Sequence, residues 1–160
     1  MENNVIIRDA EERDFPVLGQ IYAEAFNTAD VGEDWKSEDA EKLLRCLSNH
    51  KPSIFLAAEA DNKVVAGFIG IIKPYYGQND LCDTELFVDP SYQNVGVGKK
   101  LLVEMLNRGI KNYQIVGFQG IADSLKEFPG KWYLSLGFKP TRWVHHYGIA
   151  QEMLEKLNKS

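Results

Sequence analysis

The chain has 160 residues, of which 44% are hydrophobic and 26% are charged, as expected for one globular domain with a core of its own. Its net charge of −5 disfavours nucleic-acid binding, because phosphate backbones attract basic surfaces. No apolar stretch comes near the ~20 residues that span a bilayer, and the start does not resemble a secretory signal, so a cytoplasmic protein with no membrane partner is expected.

The first half of the chain is predicted to form one strand, two helices and a hairpin. The β-branched run at residues 5–10 precedes a helix that Asp14 caps and Pro16 enters in its first turn. A second helix is expected at about residues 37–48. Two apolar runs then flank Asp61 and Asn62, whose tolerance of positive φ suits the tight turn of a β-hairpin.

The second half is predicted to hold one crossover and a closing strand. Its elements are a fourth strand at 83–88, a helix after two glycines, a fifth strand at 114–119, a helix near 131–136, a last strand at 143–149 and an amphipathic tail. The order β-α-α-β-β-β-α-β-α-β predicts an α+β fold with a mixed, mostly antiparallel twisted sheet flanked by helices. One domain at 1–150 and a tail at 151–160 are expected.

The segment LFVDPSYQNVGVGKKLL, residues 86–102, runs from a strand through two glycines into a helix. Backbone N–H groups converge at such a helix start, and glycines let a phosphate approach without a Cβ in the way. A P-loop is excluded because Gln93 replaces its first glycine and Lys100 its hydroxyl. A dinucleotide fingerprint is excluded because Leu101 replaces its third glycine. The remaining Q-x-x-G-x-G pattern predicts a pyrophosphate pocket.

With this segment and with WYLSLGF at 132–138, the chain resembles the GNAT superfamily of acetyl-CoA-dependent N-acetyltransferases, and is similar to its aminoglycoside 6′-N-acetyltransferase-like bacterial members. The resemblance covers residues 5–149. It implies that acetyl-CoA is the cosubstrate and that no metal is needed. It also implies that the strand holding Leu86 and Val88 splays from the next strand, and that the backbone groups of these two residues pair there with the acetyl carbonyl and the pantetheine arm. The implied CoA-binding residues are Leu86, Phe87, Val88, Gln93, Asn94, Val95, Gly96, Val97, Gly98 and Lys99.

Two residues are candidates for the chemistry, which needs a deprotonated amine and a proton for the departing thiolate. The resemblance implies that Tyr133 protonates the sulfur of CoA, and the alternative is a core aromatic. Glu85 precedes Leu86 and alternates onto the same face as Asp83. Burial beside Phe87 would raise the pKa of Glu85 to a value useful for a base. A solvated or salt-bridged carboxylate is the alternative, and a water chain could replace the base.

The acceptor side is predicted from charge and aromatic residues. Residues 30–41 carry six acids against Lys36, which would attract a polycation, although acids at 38 and 39 also suit the start of a helix. Aromatic side chains of the first loop and of the turn PYYG would form walls for a sugar or a cationic amine. The predicted substrate-binding residues are Asp34, Trp35, Tyr75, Tyr76 and Asp83.

The expected reaction is acetyl transfer to a primary amine of a small cationic acceptor, aminoglycoside- or polyamine-like, by direct attack in a ternary complex. Acetylation of a protein N-terminus or lysine, and a non-catalytic acyl-CoA sensor, are the alternatives. A homodimer could form through the tail and exposed strands. Cys46 and Cys82 are expected to be buried or half-buried thiols. His145 and His146 face opposite ways on a strand, one packed and one exposed, and are not expected to share a metal.

Overall fold

The computed structural model describes residues 5–28, 31–122, 128–142 and 144–158. The chain forms two compact units, Met1–Gly120 and Ile121–Ser160. The first unit contains a sheet with three helices of twelve residues or more, and the second contains two shorter helices. No helix in these ranges is long and apolar enough to cross a membrane. A single domain at 1–150 stays a prediction.

The first unit is built on one five-stranded sheet. Its strands are β1 Ile6–Asp9, β2 Ser53–Ala60, β3 Lys63–Tyr75, β4 Gln78–Val88 and β5 Ile115–Phe118. They lie side by side in chain order, and β1 to β4 pair antiparallel, whereas β5 joins β4 in parallel. The mixed α+β fold predicted from the sequence is confirmed.

Three helices of the first unit, α1 Phe15–Phe26, α2 Ser37–Asn49 and α3 Val97–Tyr113, cover the two faces of this sheet. The second unit contains α4 Gly130–Ser135 and α5 Ala150–Leu157. Residues of α1 and α2 share one buried cluster with Ile69 and Phe87 of the sheet. Gly98 at the start of α3 instead lies against Leu86 and Val88, which alternate with Phe87 along β4. The opposite faces of β4 therefore serve different helices.

Local predictions for the first half hold except at the start of α1. Asp61 and Asn62 have φ of 50° and 62° and join β2 to β3, and Pro16 lies in the first turn of α1. Asp14 occupies the N-cap position, but its carboxylate accepts no hydrogen bond from the first turn of α1, because it accepts bonds from Arg8 at 2.6 Å and from the N–H of Glu11 at 2.7 Å instead. The Arg8 guanidinium lowers the pKa of Asp14.

The predicted last strand is wrong over the part that the structure describes. Residues 144–149 pair with no strand there, and Trp143 lies outside the described ranges. A β-branched and aromatic pattern makes a strand only where a neighbouring backbone pairs with it. His145 and His146 are both exposed. Cys46 is also exposed, against expectation, whereas Cys82 is buried and desolvation raises its pKa.

Candidate active site

β4 separates from β5 well before β4 ends. The parallel pairing covers three register pairs, Asn79 with Ile115, Asp80 with Gly117 and Leu81 with Phe118. Next to these pairs, the N–H of Gln119 donates to the carbonyl of Leu81 at 2.8 Å. In the described residues no β5 partner is paired with β4 beyond this point, although β4 continues to Val88. β5 itself ends at Phe118, so the rest of β4 has no β5 partner, and the splay of the two strands stays a prediction.

The register of β4 determines which backbone groups face the opening. The N–H of Asp89 donates to the carbonyl of Val65 at 2.9 Å, and Phe87 lies opposite Gly67. Hydrogen-bonded pairs alternate along an antiparallel ladder, so the odd-numbered residues here bond β3. The N–H and C=O groups of Leu86 and Val88 therefore point away from β3, towards the side that β5 leaves unpaired. An extended ligand could add to this edge as a strand does.

The turn after β4 leaves a helix start open. Gly96 has φ of 89°, a left-handed conformation that favours glycine, and α3 begins at the next residue. The first intrahelical bond in this turn joins the N–H of Lys100 to the carbonyl of Gly96 at 3.1 Å. The N–H groups of Val97, Gly98 and Lys99 precede it and have no carbonyl within the helix to bond.

The space in front of the two glycines of this turn is open. A Cβ built on Gly96 meets no atom within 4 Å, and one on Gly98 comes only within 3.8 Å of Val88. Gln93 ties the turn to the strand end, since its Nε2 donates to the carbonyl of Val88 at 3.1 Å. Lys99 is exposed beside the helix start and adds positive charge. Open N–H groups, glycines and a cation are the donor set that phosphate oxygens require.

The remaining predicted CoA-binding residues of this turn are Asn94, Val95 and Val97. Asn94 adopts φ of 62°, so it contributes to the sharp turn before Gly96. Val95 is exposed, whereas Val97 is buried and anchors the first turn of α3. Their backbones, not their side chains, shape the opening.

Glu85 lies on the α1 and α2 face of β4. Its Oε2 accepts a hydrogen bond of 3.1 Å from the hydroxyl of Tyr22. Burial raises the pKa of Glu85 to about 7, the bond from Tyr22 opposes this, and the charges of Glu33 and Asp83 raise it further. A carboxyl with a pKa near neutrality can accept a proton at physiological pH and hold it.

Tyr22 is the main residue that the sequence did not reveal. It is 3% exposed, and its ring contacts Phe26, Trp35 and Phe87 with centroids 4.5, 5.2 and 5.2 Å away. The sequence placed it only on the apolar face of α1. A tyrosine on the buried face of a helix carries a hydroxyl that needs a hydrogen-bond partner in the core. This feature of the sequence could have indicated that Tyr22 bonds a polar group of the sheet.

Trp35 is fixed beside Tyr22 by its backbone and by its ring. Asn27 bonds both backbone groups of Trp35, donating to its carbonyl at 2.8 Å and accepting from its N–H at 2.7 Å. The ring Nε1 donates to Glu33. Asp34 lines an open depression together with Trp35 and Glu33. Two predicted acceptor-binding residues, Trp35 and Asp34, thus lie together.

The acidic segment is partly neutralised within its own helix. Asp39 pairs with Lys42 at 2.8 Å and Glu41 pairs with Arg45 at 2.8 Å. The acid at position 30 lies outside the described residues. Within this segment, the charge of Glu33 adds to burial in raising the pKa of Tyr22 and of Glu85.

Asp83 does not continue the alternation from which it was predicted. It has φ of 47° in a bulge of β4, so the strict two-residue period breaks at this point. Its carboxylate pairs with Lys73 at 2.7 Å. Asp83 therefore acts on Glu85 through its charge and is not itself a buried base.

Tyr75 and Tyr76 are not brought to Glu85. Tyr75 pairs with Gln78 at the end of the β3–β4 hairpin, whereas Ile69 pairs with Glu85. Six residues along a strand span about 20 Å. The two tyrosine rings contact each other with centroids 4.7 Å apart. They form an aromatic surface separate from the Trp35 wall.

Tyr133 belongs to the second unit. It lies on α4, where its ring stacks on Phe138 with centroids 4.8 Å apart and tilts against Trp132 at 5.8 Å. α4 ends before Gly137, whose φ is 92°, as predicted for a C-terminal glycine. The role of Tyr133 stays a prediction. In the ranges that the structure describes, no group of three or more His, Cys, Asp or Glu side chains could hold a metal.

Comparison with known proteins agrees with this geometry. A family model described as acetyltransferase (GNAT) domain matches residues 51–140. No curated protein matches the chain.

Several solved structures share its fold. The aminoglycoside N-acetyltransferase AAC(6')-Iy in complex with CoA is 15% identical, with 94% of this chain and 97% of that chain covered and a TM-score of 0.71. An integron cassette protein from the mobile metagenome of V. cholerae is 24% identical, with coverages of 100% and 99% and a TM-score of 0.70. A transcriptional regulator from Bacillus halodurans C-125 is 17% identical, with coverages of 91% and 100% and a TM-score of 0.73.

The family match spans more than half of the chain, and the five-stranded sheet agrees with it. The chain therefore belongs to the GNAT acetyltransferase family and is an acetyl-CoA-dependent acetyltransferase.

Proposed function

We propose that this enzyme transfers the acetyl group of acetyl-CoA to a primary amine of a small cationic acceptor, aminoglycoside- or polyamine-like, by direct attack in a ternary complex. The observation that carries this proposal is Glu85. It is a largely buried carboxyl with a pKa of about 7, which accepts a hydrogen bond from Tyr22 and lies one residue before Leu86 on β4.

The CoA end of the site is assigned to the unpaired edge of β4 and the open turn. When bound, acetyl-CoA supplies an acyl group activated as a thioester. The N–H groups of Val97, Gly98 and Lys99 would hold the pyrophosphate, because they lack helical partners. The outward backbone groups of Leu86 and Val88 would align the pantetheine arm and orient the acetyl carbonyl.

Glu85 is the proposed base. An acceptor amine arrives as an ammonium ion, and Glu85 would take one of its protons, which leaves a neutral nitrogen with a lone pair. The carboxylate is close to half ionised at pH 7, so it can both accept and release this proton within a catalytic cycle. Tyr133, by resemblance to the family, is the proposed donor of a proton to the departing thiolate.

Selectivity for a cation is inferred from the depression at Trp35, whose Glu33 also acts on Glu85 through its charge. Of the described residues, Glu33, Asp34 and Asp39 line it against one cation, Lys36, so its charge is net negative, and Trp35 supplies an aromatic ring. A cation near an aromatic face and a carboxylate gains from both. A second ammonium on the acceptor would bind here while the first is deprotonated by Glu85. An acceptor with two or more amines is therefore favoured over a neutral one.

An acceptor screen tests the proposal. Release of free thiol from acetyl-CoA is measured with aminoglycosides, polyamines, amino acids and short peptides, and the acetylated product is identified by mass. We expect turnover with amines that carry two or more positive charges, and little with their mono-amine analogues. Turnover confined to peptides would replace the acceptor class, and CoA binding without any turnover would favour a sensor.

A further inference from the structure

The hydroxyl of Tyr22 reaches from α1 to Glu85 on β4, with 3.1 Å between the two oxygens. Edge contacts with Trp35 and Phe87 hold the tyrosine ring, and only 3% of the residue is exposed, so the hydroxyl cannot rotate into solvent. The bond uses Oε2 of Glu85. In the described part of the chain no other side chain donates to this carboxylate, which leaves Oε1 available.

Among the described residues, two further charged groups act on Glu85. They are Glu33, in the segment before α2, and Asp83, in the bulge of β4, whose own carboxylate pairs with Lys73 of β3. Burial and both acids favour the neutral form of Glu85, and the bond from Tyr22 is what opposes them. Burial and the charge of Glu85 also raise the pKa of Tyr22, so this hydroxyl remains a donor across the working pH range.

We propose that Tyr22 is a positioning residue for the base, whose hydroxyl fixes Oε2 of Glu85, stabilises the ionised carboxylate and leaves Oε1 for the acceptor amine. This inference rests on the proposed function, because it assumes that Glu85 takes the acceptor's proton. Tyr22 touches neither the acceptor nor CoA in this account. It acts through Glu85, and the same bond ties α1 to the strand that presents the acetyl group.

The test replaces Tyr22 with phenylalanine, which keeps the ring contacts and removes the donor. Glu85 is titrated in the free enzyme by the ¹³C shift of its labelled carboxyl carbon, and kcat is measured against pH with the best acceptor. Loss of a hydrogen bond to a charged group should move both midpoints to higher pH by about one unit. At pH 6 the variant should then be about tenfold slower than the wild type, and near pH 9 the two should converge.

Tyr113→Phe is the matched control, since this half-buried tyrosine lies at the end of α3 and takes no part in the proposed site. It should leave both midpoints where they are. If Tyr22→Phe does not fold, 3-fluorotyrosine at position 22 keeps ring and hydroxyl but donates more strongly. The Glu85 titration should then move to lower pH.

An unmoved titration of Glu85 in either Tyr22 variant would overturn the inference. A titration that moves while the pH profile of kcat does not would also overturn it, because the contact would then be structural only. Failure of the proposed function is seen separately, in the wild type, as an absence of acetyl transfer to any cationic amine.

Discussion

Replacing Glu85 with glutamine should change the pH dependence of stability, apart from its effect on catalysis. The folded enzyme holds this carboxyl with a pKa of about 7, against an ordinary value of 4.5, chiefly because burial disfavours its charge. Between these two pH values the folded state binds more protons than the unfolded state. The stabilising contribution of Glu85 is therefore complete below pH 4.5 and is lost as the pH rises through 7.

The magnitude follows from the two pKa values. Their difference corresponds to about 3 kcal/mol, at 1.36 kcal/mol for each unit. Glutamine has the shape of glutamate and can still accept the bond from Tyr22, but it has no charge to desolvate. As the pH rises from 4 to 8.5, the free energy of unfolding of the variant should therefore increase by about 3 kcal/mol relative to that of the wild type. The base is thus held at a cost in stability at working pH.

Urea unfolding at several pH values, followed by circular dichroism, measures this difference. Glu24→Gln is the control, because it removes an exposed carboxylate from the same helix that carries Tyr22. We expect the control to follow the wild-type profile. If the profiles of Glu85→Gln and the wild type run parallel from pH 4 to pH 8.5, Glu85 is not desolvated as argued, and its assignment as the base loses its physical reason.

Three further predictions concern the other parts of the site. Gly98→Asp should weaken CoA binding about 100-fold, measured by calorimetry, because the carboxylate repels the pyrophosphate. The neutral isostere Gly98→Asn should retain most of the affinity. Equal losses of affinity in the two variants would refute the placement of the phosphates. Position 98 suits this test better than Gly96, where φ of 89° would strain any side chain. Tyr133→Phe should lower kcat at least about tenfold at unchanged acetyl-CoA affinity, and unchanged kcat would leave Tyr133 a packing residue. Asn27→Ala, which removes both bonds to the Trp35 backbone, should raise the acceptor KM about five- to tenfold; an unchanged KM would separate Trp35 from acceptor binding.

Features set by a few neighbouring residues were predictable from the sequence. The turn at Asp61 and Asn62 and the stop at Gly137 each depend on φ values that only certain residues adopt readily. The five strands and the helices followed from hydrophobic runs and periodicity along the chain. The open turn before α3 followed from its Q-x-x-G-x-G pattern.

Features that depend on how distant elements meet were not predictable. The bond between Tyr22 and Glu85 joins residues 63 positions apart, and it requires both the crossing of α1 over the sheet and the register of β4. The bulge at Asp83 changed the face that simple alternation had assigned. Tyr75 and Tyr76 were grouped with Trp35 by composition, and the length of the β3–β4 hairpin separates them. The β-branched and aromatic residues at 143–149 also predicted a strand, but the described residues 144–149 have no neighbouring strand to pair with.

The most direct test of the central claim is the turnover of Glu85→Gln at pH 7.5, with saturating acetyl-CoA and the best cationic acceptor. We expect kcat to fall at least about 100-fold, because glutamine cannot take the acceptor's proton, while calorimetry gives an unchanged affinity for CoA. Turnover at the wild-type rate would contradict the assignment of Glu85 as the base, since the amine would then lose its proton without this carboxylate.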